Sequence, residues 1–370
     1  MSLALSARTL GALLLLPALS FSQQSISQQS VLDQPSDIAG LRSSAAKVDA
    51  VAERKLAEAY ERGNGVNQSD QLAANWYRKA ADLGDAEAQN RLGVMYSLGR
   101  GVEKSQEDAL RWYHSSAKQG YAQAMFNLGA SYYNGDGVQS DATESCAWFL
   151  LAAEAGNSAA EDAVRRATTE DRSEPRFAFT KIAEMYTKGD ELPKDPLEAL
   201  KWYRKAADAG DAKASVAVAR LLLSGTRPTQ EEGAEARHRC EDAAKLNFSP
   251  GAYCVVLIYE RGLGTSKDPV EAKKWLARAA DLGHSQAALE LGEAYWKGDG
   301  VQKDLVAAYT WIWVALNAKV PGAQQDEQVL KKEMTTKQVE QAKRKASEWA
   351  IKHRLPTIYE RQAGSSRPQQ

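Results

Sequence analysis

The chain has 370 residues, and its 47 lysines and arginines nearly balance its 48 aspartates and glutamates, giving a formal net charge of −1. A chain without a strong net charge has no general attraction for nucleic acid or an anionic membrane, so we predict no nucleic-acid partner. The length would allow two or three globular domains, but internal repeats replace that estimate.

Residues 1–22 have the pattern of a signal peptide. Arg8 supplies a positive charge, the apolar run Leu10–Leu16 follows, and small residues precede cleavage points near Phe21 or Gln23. The apolar run is too short to span a bilayer, so we expect no stable membrane insertion. The pattern therefore predicts an extracytoplasmic protein, either periplasmic or secreted.

Residues 23–47 are rich in glutamine and serine and poor in apolar side chains. Such a segment cannot bury enough apolar surface to offset the entropy of ordering. We therefore predict a disordered tether that ends at a helix beginning near Ser43.

A repeat occupies most of the remaining chain. Two columns of mainly aromatic residues share the same spacing, with steps of 36 or 37 residues and one step of 54. The first column is Tyr60, Tyr96, Tyr132, Tyr186, Leu222, Tyr259 and Tyr295. The second column is Trp76, Trp112, Trp148, Trp202, His238, Trp275 and Trp311. This shared irregular spacing predicts seven repeats, at about 50–85, 86–121, 122–157, 176–211, 212–248, 249–284 and 285–320.

The residue pattern of each repeat predicts two amphipathic helices joined by a turn. In the second repeat Leu92, Gly93 and Tyr96 lie on one stripe of the first helix. Gly99 then allows that helix to end in a left-handed conformation. A column of short oxygen-bearing residues predicts the start of the second helix, namely Ser69, Ser105, Asp141, Asp195, Asp268 and Asp304. Because no unit can bury its apolar stripe alone, the units must stack.

The consensus A-x-x-x-L-G-x-x-Y-x-x-G-x-G-V, a cap, and then A-x-x-W-Y-x-x-A-A-x-x-G resembles the Sel-one-like repeat, a relative of the tetratricopeptide repeat. The resemblance implies an all-α fold, a right-handed α-solenoid of helix-turn-helix repeats without a cofactor. It also implies a protein or peptide partner on a concave face lined by the first helix of each repeat. The fifth repeat departs most from the pattern, with Leu222 and His238 in the aromatic columns.

The 54-residue step predicts two arrays, whose lobes meet near Asp171–Pro175. The extra residues from Ser158 resemble a helix that closes the first array, and Thr335 or Thr336 can cap a last helix. The predicted segments are 50–157 for repeats 1–3, 158–175 for a capping helix and linker, 176–320 for repeats 4–7, 321–355 for a C-terminal capping helix, and 356–370 for a disordered tail.

The sequence carries no phosphate-binding loop, dinucleotide-binding motif, nucleophile elbow or zinc-protease motif. Its four histidines are not grouped at helical spacing, so we predict neither a metal site nor catalytic residues. Two S-x-x-K strings, Ser44–Lys47 and Ser115–Lys118, lack the partner motifs of serine β-lactamases, and we interpret both as chance. An extracytoplasmic hydrolase acting on cell-wall material or β-lactams and a regulatory or assembly subunit of an envelope complex remain the alternatives to a non-catalytic scaffold.

Two of the three cysteines are predicted to form a disulfide. Cys240 and Cys254 lie seven residues on either side of Asn247, at the turn between two antiparallel helices. An oxidising compartment allows such a pair to bond, although spacing alone cannot guarantee the required distance. The alternative is a buried, unpaired Cys254, and Cys146 is predicted to be a buried thiol.

The partner surface is predicted at first-helix positions off the packing stripe. The groove pattern of the tetratricopeptide repeat, carried onto the Leu-Gly-x-x-Tyr column, selects Asn90, Phe126, Tyr133, Tyr253, Leu289 and Trp296. Large aromatic side chains dominate binding hot spots, which favours this interpretation. The alternative is that several of these residues pack against neighbouring repeats.

Overall fold

The computed structural model describes residues 37–170, 174–225 and 228–353. These residues form eighteen α-helices and no β-strand, which confirms the predicted all-α class. The helices are α1 Ile38–Ala45, α2 Ala50–Arg62, α3 Asp70–Asp82, α4 Ala86–Leu98, α5 Gln106–Ala117, α6 Ala122–Asn134, α7 Ala142–Glu154, α8 Ala160–Glu170, α9 Pro175–Lys188, α10 Pro196–Asp208, α11 Ala212–Leu222, α12 Gln230–Lys245, α13 Ser249–Arg261, α14 Pro269–Asp281, α15 Ser285–Lys297, α16 Leu305–Asn317, α17 Ala323–Lys332 and α18 Thr336–Lys352.

Seven helix pairs correspond to the seven predicted repeats: α2–α3, α4–α5, α6–α7, α9–α10, α11–α12, α13–α14 and α15–α16. Six of the second helices begin at the predicted caps, and the seventh, α12, begins at Thr229. Ser105 Oγ accepts from the backbone N–H of Asp108 at 3.1 Å. Asp304 Oδ1 accepts from the backbone N–H groups of Val306 and Ala307 at 2.8 and 3.0 Å. Local capping chemistry therefore sets where these helices start.

A glycine on three of the first helices lets the second helix come close. At Gly93 a Cβ atom would lie only 2.6 Å from the Tyr113 ring, so the ring rests directly on the backbone of α4. Gly129 is in the same relation to Phe149 and Gly292 to Ile312. The large side chain of the second helix is thereby buried within its own repeat.

The chain divides into two compact units, Met1–Trp202 and Tyr203–Gln370. In the first unit, Leu56, Tyr77 and Leu92 are among the fully buried core residues. In the second, the core extends from the C-terminal part of α12 to α18 and includes Tyr309 and Ile312. These apolar clusters are thus built from the facing sides of stacked helix pairs.

The division falls inside α10, whereas the sequence predicts lobes that meet near Asp171–Pro175. Residues 171–173 lie outside the described part of the chain. The predicted extra helix is present as α8, but α9 also packs against α7. Lys181 of α9 pairs with Glu144 of α7 and, at 3.5 Å, with Glu191. These contacts explain why α9 belongs to the first unit.

The predicted disordered tether does not extend to residue 47, because residues 38–45 form α1. Asp37 Oδ1 accepts from the backbone N–H of Gly40 at 2.9 Å and begins the helix. Ile38 and Leu41 pack against a small core that includes Leu56. Partial burial of Ile38 and Leu41 stabilises α1. A contact of this kind with a later helix cannot be predicted from the composition of the segment. The predicted signal peptide, residues 23–36 and the predicted tail lie outside the described residues.

The C-terminal segment contains two helices, not the single predicted capping helix. The last of them, α18, begins at Thr335, whose side chain and that of Gln338 form reciprocal capping hydrogen bonds. Val339, Ala342 and Ala346 of α18 are buried. The additional helix α17 buries only Ala323 and Leu330. Because few of its residues are apolar, its sequence offers little indication of a packed helix.

Candidate functional site

Each unit has a first-helix face, defined as the surface of its first helices. These helices are α2, α4, α6 and α9 in the first unit and α11, α13 and α15 in the second. The six predicted partner-binding residues belong to two columns on these helices. Asn90, Phe126, Tyr253 and Leu289 lie six residues before the tyrosine column, and Tyr133 and Trp296 lie one residue after it. The sequence predicted open positions for these six side chains, whereas the structure has them buried or half-buried.

Asn90 and Leu289 are buried, with exposed fractions of 3% and 5%. They therefore do not form an open partner surface, which corrects the prediction for these two positions. Asn90 Oδ1 accepts a hydrogen bond from Asn127 Nδ2 at 2.9 Å, across the junction of two repeats. Leu289 belongs to the core of the second unit.

Tyr253 makes the equivalent inter-repeat contact in the second unit. Its hydroxyl donates to Glu290 Oε1 at 2.8 Å, and this partner lies 37 residues along the chain, as Asn127 does from Asn90. The Tyr253 ring also stacks on His284, with ring centroids 4.1 Å apart. Burial, with a further effect from the Glu290 carboxylate, raises the pKa of Tyr253. The phenol therefore keeps its proton at neutral pH and remains the donor.

The other aromatic residues of the predicted set are half-buried. Phe126 packs against Phe149, with ring centroids 5.3 Å apart. Trp296 Nε1 donates to Glu333 at 3.2 Å, and Tyr133 is also partly covered. The ring contact of Phe126 thus lies within its own repeat, while Trp296 bonds the end of α17. These half-buried side chains already have contacts within the chain, and their role in partner binding stays a prediction.

A row of amide side chains crosses the first-helix face of the first unit, a feature that sequence reasoning missed. Asn127 donates to Asn90, Gln123 donates to Asn127 at 3.2 Å, and Asn157 donates to Gln123 at 3.1 Å. The row joins α4, α6 and the turn after α7. Asn90 and Asn127 differ by one position relative to the tyrosine column, so no single column of the repeat marked this row.

Charged groups on the first-helix face of the first unit are largely paired with one another. Arg54 forms ion pairs with Glu58, Asp85 and Glu87 at 2.8, 3.1 and 3.0 Å. Lys181 pairs with Glu144, as described above. These pairs join neighbouring helices, and in each the single cation is shared by more than one carboxylate.

The second unit contains a cavity of about 320 Å³ on its first-helix face, between α13, α14 and α15. Its apolar wall includes Leu257, Leu276 and Ala294, and Tyr253 borders it. Charged side chains complete the lining, and these are Glu260, Arg261, Lys273, Glu290, Glu293, Lys297 and Asp299. Seven of the lining residues are charged and three are aliphatic, so the cavity is a mainly polar surface recess with a small apolar wall.

Most of the cations at this cavity already have an acidic partner. Lys297 pairs with Glu293 at 2.7 Å, and Lys273 pairs with Asp299 at 3.0 Å. Glu290 differs, because Oε1 accepts from two neutral donors, Tyr253 and, at 3.0 Å, Gln286 Nε2. Within the residues that the structure describes, no cation lies at ion-pair distance from Glu290.

The helix α12 lies close to α13 at the two predicted cysteines. The sulfur atoms of Cys240 and Cys254 are 2.11 Å apart and their Cα atoms 5.9 Å apart, and disulfides usually have Cα separations of this size. Gly251 permits the approach, because a Cβ atom there would lie 2.6 Å from Ala243 Cβ and 2.8 Å from the Cys240 carbonyl oxygen. Cys146 is buried, as predicted.

The S-x-x-K string in α5 does not form a catalytic pair. Ser115 Oγ donates to the carbonyl oxygen of Arg111 at 3.0 Å, while Lys118 Nζ donates to that of Asp190 at 3.2 Å. Each side chain is thus turned to a different backbone acceptor. Across the described ranges, no cluster of three or more His, Cys, Asp or Glu residues could hold a metal ion. None of the described helices has the length and apolar character needed to cross a membrane.

Stacked helix pairs, each closed by a capped turn and joined to the next by hydrogen bonds across the repeat junction, define an α-solenoid repeat scaffold. The chain belongs to the Sel1 repeat family, whose model matches more than half of it, at residues 50–85, 86–121, 122–157, 180–211, 252–284 and 285–312. Repeats of this family typically mediate protein interactions. The fifth helix pair, α11–α12, is not matched, in agreement with the departures at Leu222 and His238.

Two solved structures resemble the chain. One is a protective antigen present in uropathogenic Escherichia coli strains and displaying an SLR fold, with 28% identity, a TM-score of 0.44, and 90% of this chain and 75% of that chain covered. The other is a Sel1 repeat protein from Oxalobacter formigenes, with 26% identity, a TM-score of 0.40, and 80% of both chains covered. A search of curated proteins gives no match.

Proposed function

We propose that the chain is an exported, non-catalytic scaffold that binds a protein or peptide partner on its first-helix face. The observation that carries this proposal is the cavity between α13, α14 and α15. It lies on the face where the repeat leaves side chains outside the packing stripe, and its apolar wall and charged rim suit a peptide segment. A helical scaffold presents such a site without needing any chemistry of its own.

The non-catalytic part of the proposal is supported by the arrangement of nucleophile candidates. Ser115 and Lys118, which a serine hydrolase would need to place together, bind separate carbonyl oxygens. A nucleophile is activated by a base within hydrogen-bond reach. The geometry of α5 therefore favours a scaffold over the hydrolase alternative.

The export part of the proposal is supported by the charged, apolar and small-residue pattern of residues 1–22. We expect the mature chain to begin near Phe21 or Gln23. Intact-mass measurement on material secreted by a host with a signal peptidase tests this expectation. Material that keeps Met1 would contradict export.

Site-specific photo-crosslinking tests the partner-binding face. A photoreactive amino acid replaces Leu257, which lines the cavity, or Val270, which is 69% exposed on the second helix α14. Cells that express the full chain are irradiated, and crosslinked proteins are identified by mass spectrometry. We expect defined adducts from position 257 that are absent from position 270.

Equal adducts from both positions, or adducts from position 270 alone, would overturn the first-helix face as the binding surface. Circular dichroism on both variants shows whether the helical fold is kept. A variant at position 261, on the cavity rim, provides an independent third position.

A further inference from the structure

We propose that the cavity between α13, α14 and α15 receives a lysine or arginine side chain from the partner, with Glu290 as its counter-ion. This inference rests on the proposed function, because it names the chemistry of the segment that the first-helix face binds. The supporting observations are the charged side chains that border the cavity and the ion pairs that several of them already form.

Glu290 is a half-buried carboxylate whose hydrogen bonds come from neutral groups. Tyr253 and Gln286 both donate to Oε1, at 2.8 and 3.0 Å. These two bonds hold the carboxylate at the cavity without neutralising it. A partly buried charge gains most from an opposite charge that shares its low-dielectric surroundings.

Several other carboxylates on the first helices do have a cation. Glu58 and Glu87 share Arg54, at 2.8 and 3.0 Å. Glu293, one turn along α15 from Glu290, has Lys297 at 2.7 Å. The difference between Glu290 and Glu293 identifies the unpaired charge within a single helix.

The charge balance at the cavity favours a cation over an anion. Lys273 and Lys297 are already paired, and the remaining lining charges are Glu260, Glu290 and Arg261. Two carboxylates therefore face one guanidinium. The lining as a whole carries four carboxylates and three cations, so an incoming cation meets an excess of negative charge and, at Glu290, a pre-oriented acceptor.

The shape of the cavity suits a long basic side chain. Its volume of about 320 Å³ is bordered by Leu257, Leu276 and Ala294 on the apolar side. Lysine and arginine lay their methylene stems along apolar surface while the charged end finds a polar partner. The apolar wall and Glu290 offer both contacts together.

The test uses random peptides displayed on phage, selected against the full mature chain. The best peptides are then synthesised with the basic residue kept or replaced by citrulline, an uncharged analogue of arginine, or by norleucine in place of lysine. Binding of each pair is measured to wild type, to Glu290→Gln and to the control Glu271→Gln, which removes a carboxylate of α14 that pairs with Lys274 at 2.8 Å outside the cavity lining. The substitution Glu290→Gln keeps a hydrogen-bond acceptor at this position and removes the charge.

We expect wild type to select peptides with lysine or arginine at one shared position. Neutralising that residue should weaken binding to wild type by about tenfold or more, in the range expected for a desolvated ion pair. The same replacement should change binding to E290Q by less than about threefold, while E271Q behaves as wild type. This double-mutant cycle measures the coupling directly and does not depend on small changes in fold stability.

Peptides selected without a shared basic residue, or with equal losses on wild type and E290Q, would overturn the assignment of Glu290 while leaving partner binding intact. Failure of wild type to select any peptide, together with no adducts from position 257, would overturn both proposals. Removal of residues 354–370, which carry Arg354, Arg361 and Arg367, gives a further outcome. A large rise in peptide affinity on removal would assign the cavity to the chain's own tail instead of a partner.

Discussion

At the scale of single residues, His284 joins a helix start to the candidate site. Its Nδ1 atom accepts from the backbone N–H of Ala287 at 3.2 Å, which caps α15, and its ring stacks on Tyr253. Burial lowers the pKa of His284, opposed by the charge of Glu290. A protonated ring could neither accept this hydrogen bond nor lie favourably at the positive end of a helix.

We therefore predict that the second unit loses stability in mild acid. Because the pKa of His284 is lower in the folded chain than its unfolded value of about 6.5, the unfolded chain binds the additional proton. This contribution is present above about pH 6.5 and is lost as the pH falls through the folded pKa. Denaturant unfolding at pH 7.5 and at more acidic values measures the change.

The variant His284→Asn keeps a side-chain acceptor at the helix cap and does not titrate. It should show a smaller loss of unfolding free energy between neutral and acidic pH than wild type. His114, whose pKa burial also lowers, supplies a residual dependence in the first unit that both proteins share. An unchanged pH dependence in H284N would refute the contribution of His284.

Gly251 occupies a position where the other first helices carry alanine, namely Ala52, Ala88, Ala124, Ala178, Ala214 and Ala287. We predict that Gly251→Ala destabilises the protein by about 1–3 kcal/mol, because the added methyl group meets Ala243 and the Cys240 carbonyl. Gly225→Ala is the matched control, since nothing lies within 4 Å of its added Cβ. Equal unfolding free energies for the two variants would contradict the close approach.

At the scale of elements, the junction of α12 and α13 depends on small residues and two cysteines. The second helix α12 carries His238 in the tryptophan column, and this residue is exposed. Its buried residues include Gly233, Ala236 and Cys240. A disulfide to Cys254 would compensate for the large apolar side chain that this repeat lacks.

We predict that peptide mapping without reduction recovers Cys240 linked to Cys254. Reduction, or the variant Cys240→Ser, should lower the unfolding free energy by roughly 3 kcal/mol, the value that the chain-entropy model gives for a loop of this size. The control is Cys146→Ser, whose unfolding should respond to reductant as that of wild type does, since the Cys240–Cys254 bond is still present. Recovery of both thiols unlinked from oxidised material would refute the bond.

At the scale of the whole molecule, the division between units and the interruption of the repeat lie at different places. Contacts divide the chain at Trp202, whereas the repeat is interrupted before Pro175. The packing of α9 against α7 accounts for the difference. The position of the repeat interruption and the position of the boundary between compact units therefore need not coincide.

We predict that limited trypsin digestion cuts first after Arg172 or in the terminal segments, because residues 170–174 are a polar, charged linker by sequence. The variant Arg172→Gln should delay the internal cut without changing thermal unfolding. Initial cleavage within a repeat helix, while the linker stays intact, would argue against an accessible linker there.

The sequence alone determined the repeat, the ends of most helices and the all-α class. These features depend on signals a few residues apart: an oxygen at a cap, a glycine at a helix end, an apolar stripe along one helix. The cap at Ser105 and the close packing at Gly93 illustrate such local signals. They recur in most units, which made them readable without any knowledge of tertiary contacts.

The tertiary structure decided which first-helix residues join repeats and which remain open. Asn90 and Tyr253 were predicted to meet a partner, yet each bonds a residue 37 positions away. The formation of α1 likewise depends on burial against α2. Contacts of this kind depend on how one repeat is rotated against the next, and that rotation is set by packing across the junction, which no short segment of sequence encodes.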